Sequence, residues 1–348
     1  MTTGDHTPRI CVNGRFACKR LTGVQRYAKE IVDRLAGRCD VAWTNARDGV
    51  AGHRWEQFVL PLRSRGQLLW SPCNTGPVAV RKQVVTIHDA TFHDTPDCFG
   101  RAFRLWYQWL IPRLVRQCRR VTTVSDFSRR RLSDITGLDA AKIDVIPNGV
   151  HADFKPATEE AVDALRRKFD LPGPFVLTLG SLEPRKNLKT LLAAWPLIAA
   201  KRDDLTLAVA GGANLGIFNG HGIGPDELPR VKRLGYVSDA DLPALYSAAD
   251  AFVFPSVYEG FGLPPLEAMA CGTPVVCSNA TALPEVVGDA AVLVDPLDAE
   301  AITAETLRVL DDAALQAELS SSGRARAAAF TWEAATAKAW QVLSEAAK

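Results

Sequence analysis

The sequence predicts an α/β chain of two domains. Short apolar runs alternate with amphipathic helical stretches twice over, and a turn-rich break, Pro147-Asn148-Gly149-Val150, separates the two successions. A length of 348 residues exceeds what one small core needs and suits two domains of ordinary size. We place the boundary just after the break, giving domains over 1–152 and 153–330. The composition, 47% apolar and 23% charged, is that of a globular protein. A net charge of +2 argues against a general nucleic-acid binder, so no nucleic-acid partner is expected. No run of about 18 apolar residues predicts a transmembrane helix. The polar stretch Met1–Arg9 lacks the apolar core of a signal peptide. Eight scattered cysteines form no C-x-x-C pair and read as reduced thiols rather than a disulfide frame or zinc site. Together these predict a cytoplasmic protein.

In the first half, Arg9–Val12 reads as the opening strand. Val24, Tyr27, Ile31 and Leu35 recur at helical spacing, so a helix starts near Gly23, with Thr22 and Gly23 as cap residues. Gly23 lets a ligand approach the backbone closely. Val41–Thr44 and Gln67–Trp70 read as strands. So does Gln83–Ile87, which ends in His88-Asp89. A histidine at the carboxyl end of a buried parallel strand points towards the crevice where open α/β sheets bind ligands. Asp89 either holds the His88 ring or caps the next turn; His93 reads as surface. Val121–Val124 and Ile143–Ile146 are further strands, and Ser125 or Asp126 caps the helix between them.

Residues 101–120 place Phe103, Trp106, Tyr107, Leu110, Leu114 and Val115 on one helical stripe, with arginines around it and on to Arg131. Two readings stand: an amphipathic helix with a solvated basic face, which the pattern favours, or a basic, aromatic-bearing face over 101–131 that rests on an anionic membrane near a lipid-linked acceptor.

The second half opens with a strand at Phe175–Leu179. Asn187 caps a helix whose apolar face includes Leu188, Leu191, Leu192 and Trp195. Arg185 and Lys186 precede its N-terminus, where basic groups and free N–H groups can cradle a diphosphate. Leu205–Ala210 is the next strand. The glycine-rich stretch 214–224 has the wrong spacing for a dinucleotide fingerprint and reads as a mobile loop. Val231–Val237 follows. Asp239-Ala240-Asp241 is read as helix-capping rather than metal-binding, with Ser238 and Asp241 forming a capping-box-like start. The most informative stretch is Tyr258–Thr273. It follows the apolar run Ala251–Phe254 and carries Gly260 and Gly262, then Pro264 and Pro265 where a helix can begin. Glu259 precedes the loop, and Glu267 is expected in the first helical turn. A helix N-terminus favours negative charge, and a ligand with phosphate for the N–H groups and hydroxyls for the carboxylates satisfies both. A sugar nucleotide has both. Pro274–Cys277 is a strand, and the residues from Thr331 form an amphipathic C-terminal helix.

Glu259 and Glu267, with seven residues between them in E-G-F-G-L-P-P-L-E-A-M-A-C-G-T-P-V-V, resemble the donor-site motif of family 4 of the retaining glycosyltransferases. The resemblance covers nearly the whole chain, most strongly 175–296. It implies the GT-B architecture: two Rossmann-like, doubly wound domains facing a cleft, an acceptor-side domain over 1–152 and a nucleotide-sugar-binding domain over 153–330, with the C-terminal helix 331–348 packing back on the first. The implied reaction moves a sugar from a nucleotide diphosphate to an acceptor hydroxyl. By the same resemblance, Glu259 lies against the sugar hydroxyls, Glu267 against the ribose, Lys186 and Arg185 against the diphosphate, and His88 near the transferred sugar. Gly23 and the loop Gly260, Phe261, Gly262 and Leu263 face the donor; Tyr236 and Val237 abut the base; and Glu285 is structural. One departure matters. The residue after Gly180 is Ser181, where many members carry arginine, so diphosphate contact falls more heavily on Arg185 and Lys186.

Glu259, His88 and Lys186 are therefore the expected catalytic residues, with no cofactor and no metal. The wording of G-S-L-E-P-R-K-N and T-I-H-D is similar to bacterial mannosyltransferases of surface-polysaccharide assembly. That favours GDP-mannose as donor over a UDP- or dTDP-sugar, a glycan or lipid-linked acceptor, and a place at the inner face of the plasma membrane. A glycosyl phosphorylase on the same fold is the alternative. A Rossmann oxidoreductase is disfavoured because no G-x-G-x-x-G opens a helix after a strand, and a non-catalytic scaffold because Glu259, Glu267, Lys186 and His88 are intact.

Overall fold

The computed structural model describes residues 8–18, 22–45, 49–181, 183–212 and 228–348. The stretch 214–224 and the N-terminal residues 1–7 lie outside the described residues. Two compact units result, one of Met1–Gly149 with Thr331–Lys348, the other Val150–Phe330. The division falls at the Gly149–Val150 junction, a few residues before the expected boundary.

The first unit holds six parallel strands: β1 (Ile10–Asn13), β2 (Asp40–Ala42), β3 (Leu68–Ser71), β4 (Gln83–Thr86), β5 (Arg120–Thr123) and β6 (Ile143–Val145). Their order in the sheet is β2-β1-β3-β4-β5-β6. β1, β3 and β4 are buried along their whole length, as expected of parallel strands covered on both faces. Helix α1 (Gly23–Arg34) turns Tyr27, Ala28, Ile31 and Val32 inward. Helix α2 (Arg101–Gln117) buries Tyr107, Leu110, Ile111, Leu114 and Val115. Phe103 stays 40% exposed on that helix although the periodicity puts it on the inward stripe; it is stacked between Phe99 and Tyr107 at the rim. Helix α3 (Asp126–Thr136) is capped by Ser125, whose hydroxyl accepts from the Ser128 N–H at 3.0 Å. The C-terminal helix, Trp332–Ala347, belongs to this unit and buries Trp332, Ala335, Ala339, Val342 and Leu343. Gly149 abuts it so closely that an added Cβ would lie 2.3 Å from the Trp332 nitrogen.

The second unit holds β7 (Phe175–Leu179), β8 (Thr206–Ala210), β9 (Val231–Gly235), β10 (Ala251–Phe254), β11 (Val275–Ser278) and β12 (Val292–Val294), again all parallel. The order β9-β8-β7-β10-β11-β12 is that of a Rossmann sheet, 3-2-1-4-5-6 in the unit's own count. Its core packs Trp195, Leu191, Leu207, Val253, Val276 and Ile302 together. Among the described residues no helix is long and apolar enough to cross a membrane. Among the described residues no disulfide forms, and Cys11, Cys271 and Cys277 are buried.

Candidate active site

In an open α/β sheet the chain runs left from the first strand and right from the fourth, so the loops leaving those two strands diverge and open a crevice at their carboxyl ends. In the second unit those strands are β7 and β10. The loop after β7 carries Arg185 and Lys186, and the loop after β10 carries Glu259.

The two loops are tied together by their backbones. The Val257 N–H donates to the Arg185 carbonyl at 2.8 Å. Asn187, at φ 54°, donates its side-chain amide to the carbonyls of Pro255 (3.1 Å) and Pro296 (2.5 Å). Asn187 does stand before the helix Leu188–Lys201, but its side-chain oxygen accepts from the Thr190 hydroxyl at 2.7 Å rather than from a backbone N–H.

This frame brings the charged groups together. Lys186 Nζ donates to Glu259 Oε1 at 2.6 Å, and Arg185 Nη1 to Glu259 Oε2 at 3.3 Å. The ammonium also lies 4.8 Å from the centre of the Phe254 ring, a favourable cation–π distance. The side chains of Lys186 and Glu259 are only 14% and 9% exposed. Burial alone would push the Glu259 carboxyl up, but Lys186 and Arg185 outweigh it and hold the group below its ordinary value, so it is ionised. Burial, aided by Arg185, draws the Lys186 amine down against the pull of Glu259. The Glu259 N–H is in turn held by the Thr281 hydroxyl at 3.0 Å. Thr281 sits at φ 59°, an uncommon conformation for a β-branched residue. Strain of this kind collects at ligand sites. A small cleft adjoins the cluster, lined by Gly180, Ser181, Lys186, Leu188 and Phe254 among others.

Glu267 lies elsewhere than expected. Gly262, at φ 108°, starts the helix at Leu263, and Pro264 and Pro265 fill its first turn. Glu267 therefore falls in the second turn, not the first. It is buried, and its Oε2 accepts from the Tyr246 hydroxyl at 3.3 Å. Gly260, Phe261 and Gly262 are buried and Leu263 half-buried, with the Phe261 ring packed edge-on to Phe330. Tyr236 is 68% exposed, whereas Val237 is buried. Asp241 is engaged by Lys168 (2.7 Å) and Ser238 (2.5 Å).

Two expected residues belong to the first unit. Gly23 is the exposed first residue of α1, and a Cβ there would meet nothing within 4 Å. His88 follows β4 and is buried. Its Nε2 lies 2.9 Å from the Pro72 carbonyl, which only accepts, so Nε2 carries the proton and Nδ1 is the acceptor nitrogen. Its backbone N–H donates to Asn74 Oδ1 at 2.7 Å, and its ring meets Tyr27 edge-on at 4.9 Å. Asp89 caps the next turn, accepting from the Thr91 N–H, and does not hold the ring. Asn74, Tyr246 and Thr281 were not singled out from sequence. For Asn74 and Thr281 the signal is a left-handed backbone, which composition does not show.

Two family models match: one described as "Glycosyl transferases group 1" over residues 162–326, the other as "Glycosyltransferase Family 4" over 69–154. The chain is 36% identical over 264 residues to the O-antigen chain mannosyltransferase B of Escherichia coli, spanning 75% of this chain and 69% of that protein. The chain belongs to the group 1, family 4 glycosyltransferases. A second relative, the serotype-specific mannosyltransferase WbdA of Escherichia coli, is 32% identical over 61% of this chain, which spans only 27% of that larger protein. Among solved structures, Anabaena HepE in complex with UDP and glucose superimposes with a TM-score of 0.78 at 20% identity, covering 97% of this chain and 99% of that one. Sucrose-phosphate synthase of Thermosynechococcus elongatus gives 0.74 at 21% identity, over 96% and 98%. These likenesses show the GT-B fold. As a glycosyltransferase, the chain places a lysine, an arginine and a glutamate where its second sheet reverses direction.

Proposed function

We propose that this glycosyltransferase moves mannose from GDP-mannose, with retention at the anomeric carbon, to a hydroxyl of a glycan or lipid-linked acceptor in cell-surface polysaccharide synthesis. The observation that carries the reading is the Lys186–Arg185–Glu259 cluster at the reversal of the second sheet. The bond from C1 to the diphosphate oxygen breaks, the bond from C1 to the acceptor oxygen forms, and the proton of the acceptor hydroxyl passes to the departing diphosphate. The leaving group gains charge while the carbon becomes cation-like. Lys186 and Arg185 supply preorganised positive charge to the diphosphate, joined by the N–H groups near Gly262 and Leu263, and on this reading no metal is needed. Glu259, ionised by its two partners, is positioned to take sugar hydroxyls and to steady the developing positive charge. A donor entering this site exchanges one partner of Lys186 for another, so the amine passes from carboxylate to phosphate. Glu267, buried beside Tyr246, is assigned to the ribose, and His88 and Gly23 of the first unit to the transferred sugar and the phosphates.

The mannose assignment is supported by the two relatives named as mannosyltransferases. The reading places the enzyme at the cytoplasmic face of a membrane, touching anionic lipid through 101–131. Helix α2 and its flanks leave Phe103, Leu105 and Trp109 exposed among arginines, with Arg113 stacked on Trp109 at 4.6 Å.

A thermal-shift panel of GDP-, UDP- and dTDP-sugars tests the donor, because a ligand that binds only the folded state raises its melting point. A rise with GDP-mannose alone is expected. A rise with only a UDP- or dTDP-sugar would replace the donor, and sugar phosphate formed from inorganic phosphate would point to a phosphorylase.

A further inference from the structure

Glu183 stands in the loop after β7, just ahead of Arg185 and Lys186, and the transfer reading gives it no part. Its backbone is extended (φ −91°, ψ 148°), and Pro184 opens a single 3₁₀ turn, Pro184–Lys186. The Glu183 carbonyl closes that turn by accepting from the Lys186 N–H at 2.9 Å. A polar side chain at the start of a helical turn ordinarily caps its free N–H groups. The Glu183 carboxylate caps none.

The carboxylate is directed instead at two side chains. Arg185 Nε donates to Glu183 Oε2 at 2.7 Å, and the Ser181 hydroxyl donates to Glu183 Oε1 at 2.9 Å. One oxygen thus holds a neighbour and the other is itself held. The charge also reaches Lys186, whose amine it pulls up. For the fold this ion pair does little. The Glu183 side chain is 42% exposed, and pairs open to water contribute little stability.

What the pair does is set a direction. An arginine side chain has many rotamers, and its planar fork recognises a phosphate only when turned the right way. Here Glu183 fixes the guanidinium at Nε. Nη1 is turned to Glu259 Oε2 (3.3 Å) and to the Tyr258 carbonyl (3.4 Å). The bond between the Arg185 carbonyl and the Val257 N–H ties down the backbone, but not the long stem beyond it. Ordering such a stem when a ligand binds costs conformational entropy, and a side chain held in advance avoids that cost.

We propose that Glu183 is a positioning residue of the transfer reaction: it holds Arg185 by Nε, so that the guanidinium is already aimed at the diphosphate of the incoming nucleotide, and Ser181 holds Glu183 in turn. The proposal rests on the reading that Arg185 contacts the diphosphate, whichever base the donor carries. Two effects of Glu183 oppose one another. Its negative charge works against a diphosphate, although water screens it. Its grip on Nε works for one. Glu183→Ala removes both. Glu183→Gln removes the charge alone, because the amide oxygen still accepts from Arg185 Nε and the amide nitrogen can donate to the Ser181 hydroxyl.

Calorimetric titration of the full chain with GDP, UDP and dTDP in turn tests the assignment. For the nucleotide that binds the wild type, Glu183→Ala should weaken binding about fivefold, the equivalent of one hydrogen bond. Glu183→Gln should bind as tightly as the wild type or more tightly. In an Arg185→Ala background, Glu183→Ala should weaken binding no further, since nothing is left to hold. Tighter binding by both Glu183 variants would leave only a repulsive charge. That result, equal weakening by both, unchanged binding by Glu183→Ala, or the same fivefold loss without Arg185 would each overturn the assignment. If Arg185→Ala loses affinity while Glu183→Ala does not, the diphosphate reading of Arg185 stands and only the assignment falls. If Arg185→Ala binds like the wild type, or none of the three nucleotides binds, that reading falls and takes the assignment with it.

Discussion

Lys186 Nζ and Glu259 Oε1 lie 2.6 Å apart, on loops that leave the two strands between which the second sheet reverses. Each is the other's nearest opposite charge in a largely buried setting, so removing either disturbs both the site and its electrostatics. Lys186→Ala and Glu259→Ala should each lower kcat by about 10²–10³-fold, the range for losing one preorganised charge partner of a transition state. Both should remain folded by circular dichroism. The double variant should lose less than the product of the two, since the residues act as one unit. Turnover like the wild type's in either single variant would remove the assignment.

Glu56 gives a pH prediction in the first unit. Burial pushes its carboxyl up, but the bond to His53, the Arg15 charge, and the bonds from Asn13 and Thr75 prevail and hold it below its ordinary 4.5. A carboxyl depressed in the folded state stabilises above its unfolded value and loses that contribution as pH falls through the folded one. Glu56→Gln leaves Arg15 buried without its counter-charge, and should cost about 3–5 kcal/mol at pH 7. The gap between variant and wild type in urea midpoint should narrow below pH 4.5. A constant gap would show that the charge is immaterial.

His88 titrates with the opposite charge but the same sense. Burial draws its ring below the ordinary 6.5, against the pull of the Pro72 carbonyl and Asp89. The unfolded chain therefore takes up this proton first. Stability attached to His88 is complete above pH 6.5 and declines as pH falls below it. Nitrogen-15 spectra should show a neutral ring protonated at Nε2 at pH 7. An imidazolium there would contradict the geometry at Pro72.

Gly211, at φ 144°, passes so close to the preceding loop that an added Cβ would lie 1.8 Å from the Gly180 carbonyl oxygen. Gly180 in turn lies 3.4 Å from the Lys186 stem, measured from its own virtual Cβ. Gly211→Ala should cost at least about 2 kcal/mol through backbone strain and weaken nucleotide binding by shifting Lys186. Calorimetry with and without GDP separates the two effects, and an unchanged melting temperature would disprove the contact.

On the lipid-facing reading, Trp109→Glu and Leu105→Glu remove exposed apolar surface and add repulsion, while touching none of the residues placed at the donor cluster. Co-sedimentation with anionic vesicles at low salt should fall in both, with binding of GDP intact. Failure of the wild type to sediment would end the idea.

Much of this was readable in the chain. Apolar runs such as Ala251–Phe254 mark buried strands because both faces of a parallel sheet are covered, and the residues after them fall at the ligand end by necessity. Glu259, Lys186 and Arg185 could be named for that reason. What escaped depends on distant pairing or on a single torsion. Nothing local says that β7 lies beside β10, which is what brings residue 186 to 259. Glu267 was placed one turn too early because its helix begins at Leu263, on the left-handed turn of Gly262. Arg15 and Glu56 were overlooked because two isolated charges in separate segments carry no period, and only the pairing of β1 with β3 makes them neighbours.

The first unit is assembled from both extremities of its chain: its six strands are complete by Val145, yet Trp332, Ala339 and Leu343 cover it only from the far side of a whole intervening unit. Residues 1–149 therefore cannot close that apolar face by themselves, whereas the middle unit, continuous in sequence, carries its own core. A circular permutation that joined the helix Trp332–Ala347 directly to residues 1–149 would give that unit all of its cover in one continuous segment.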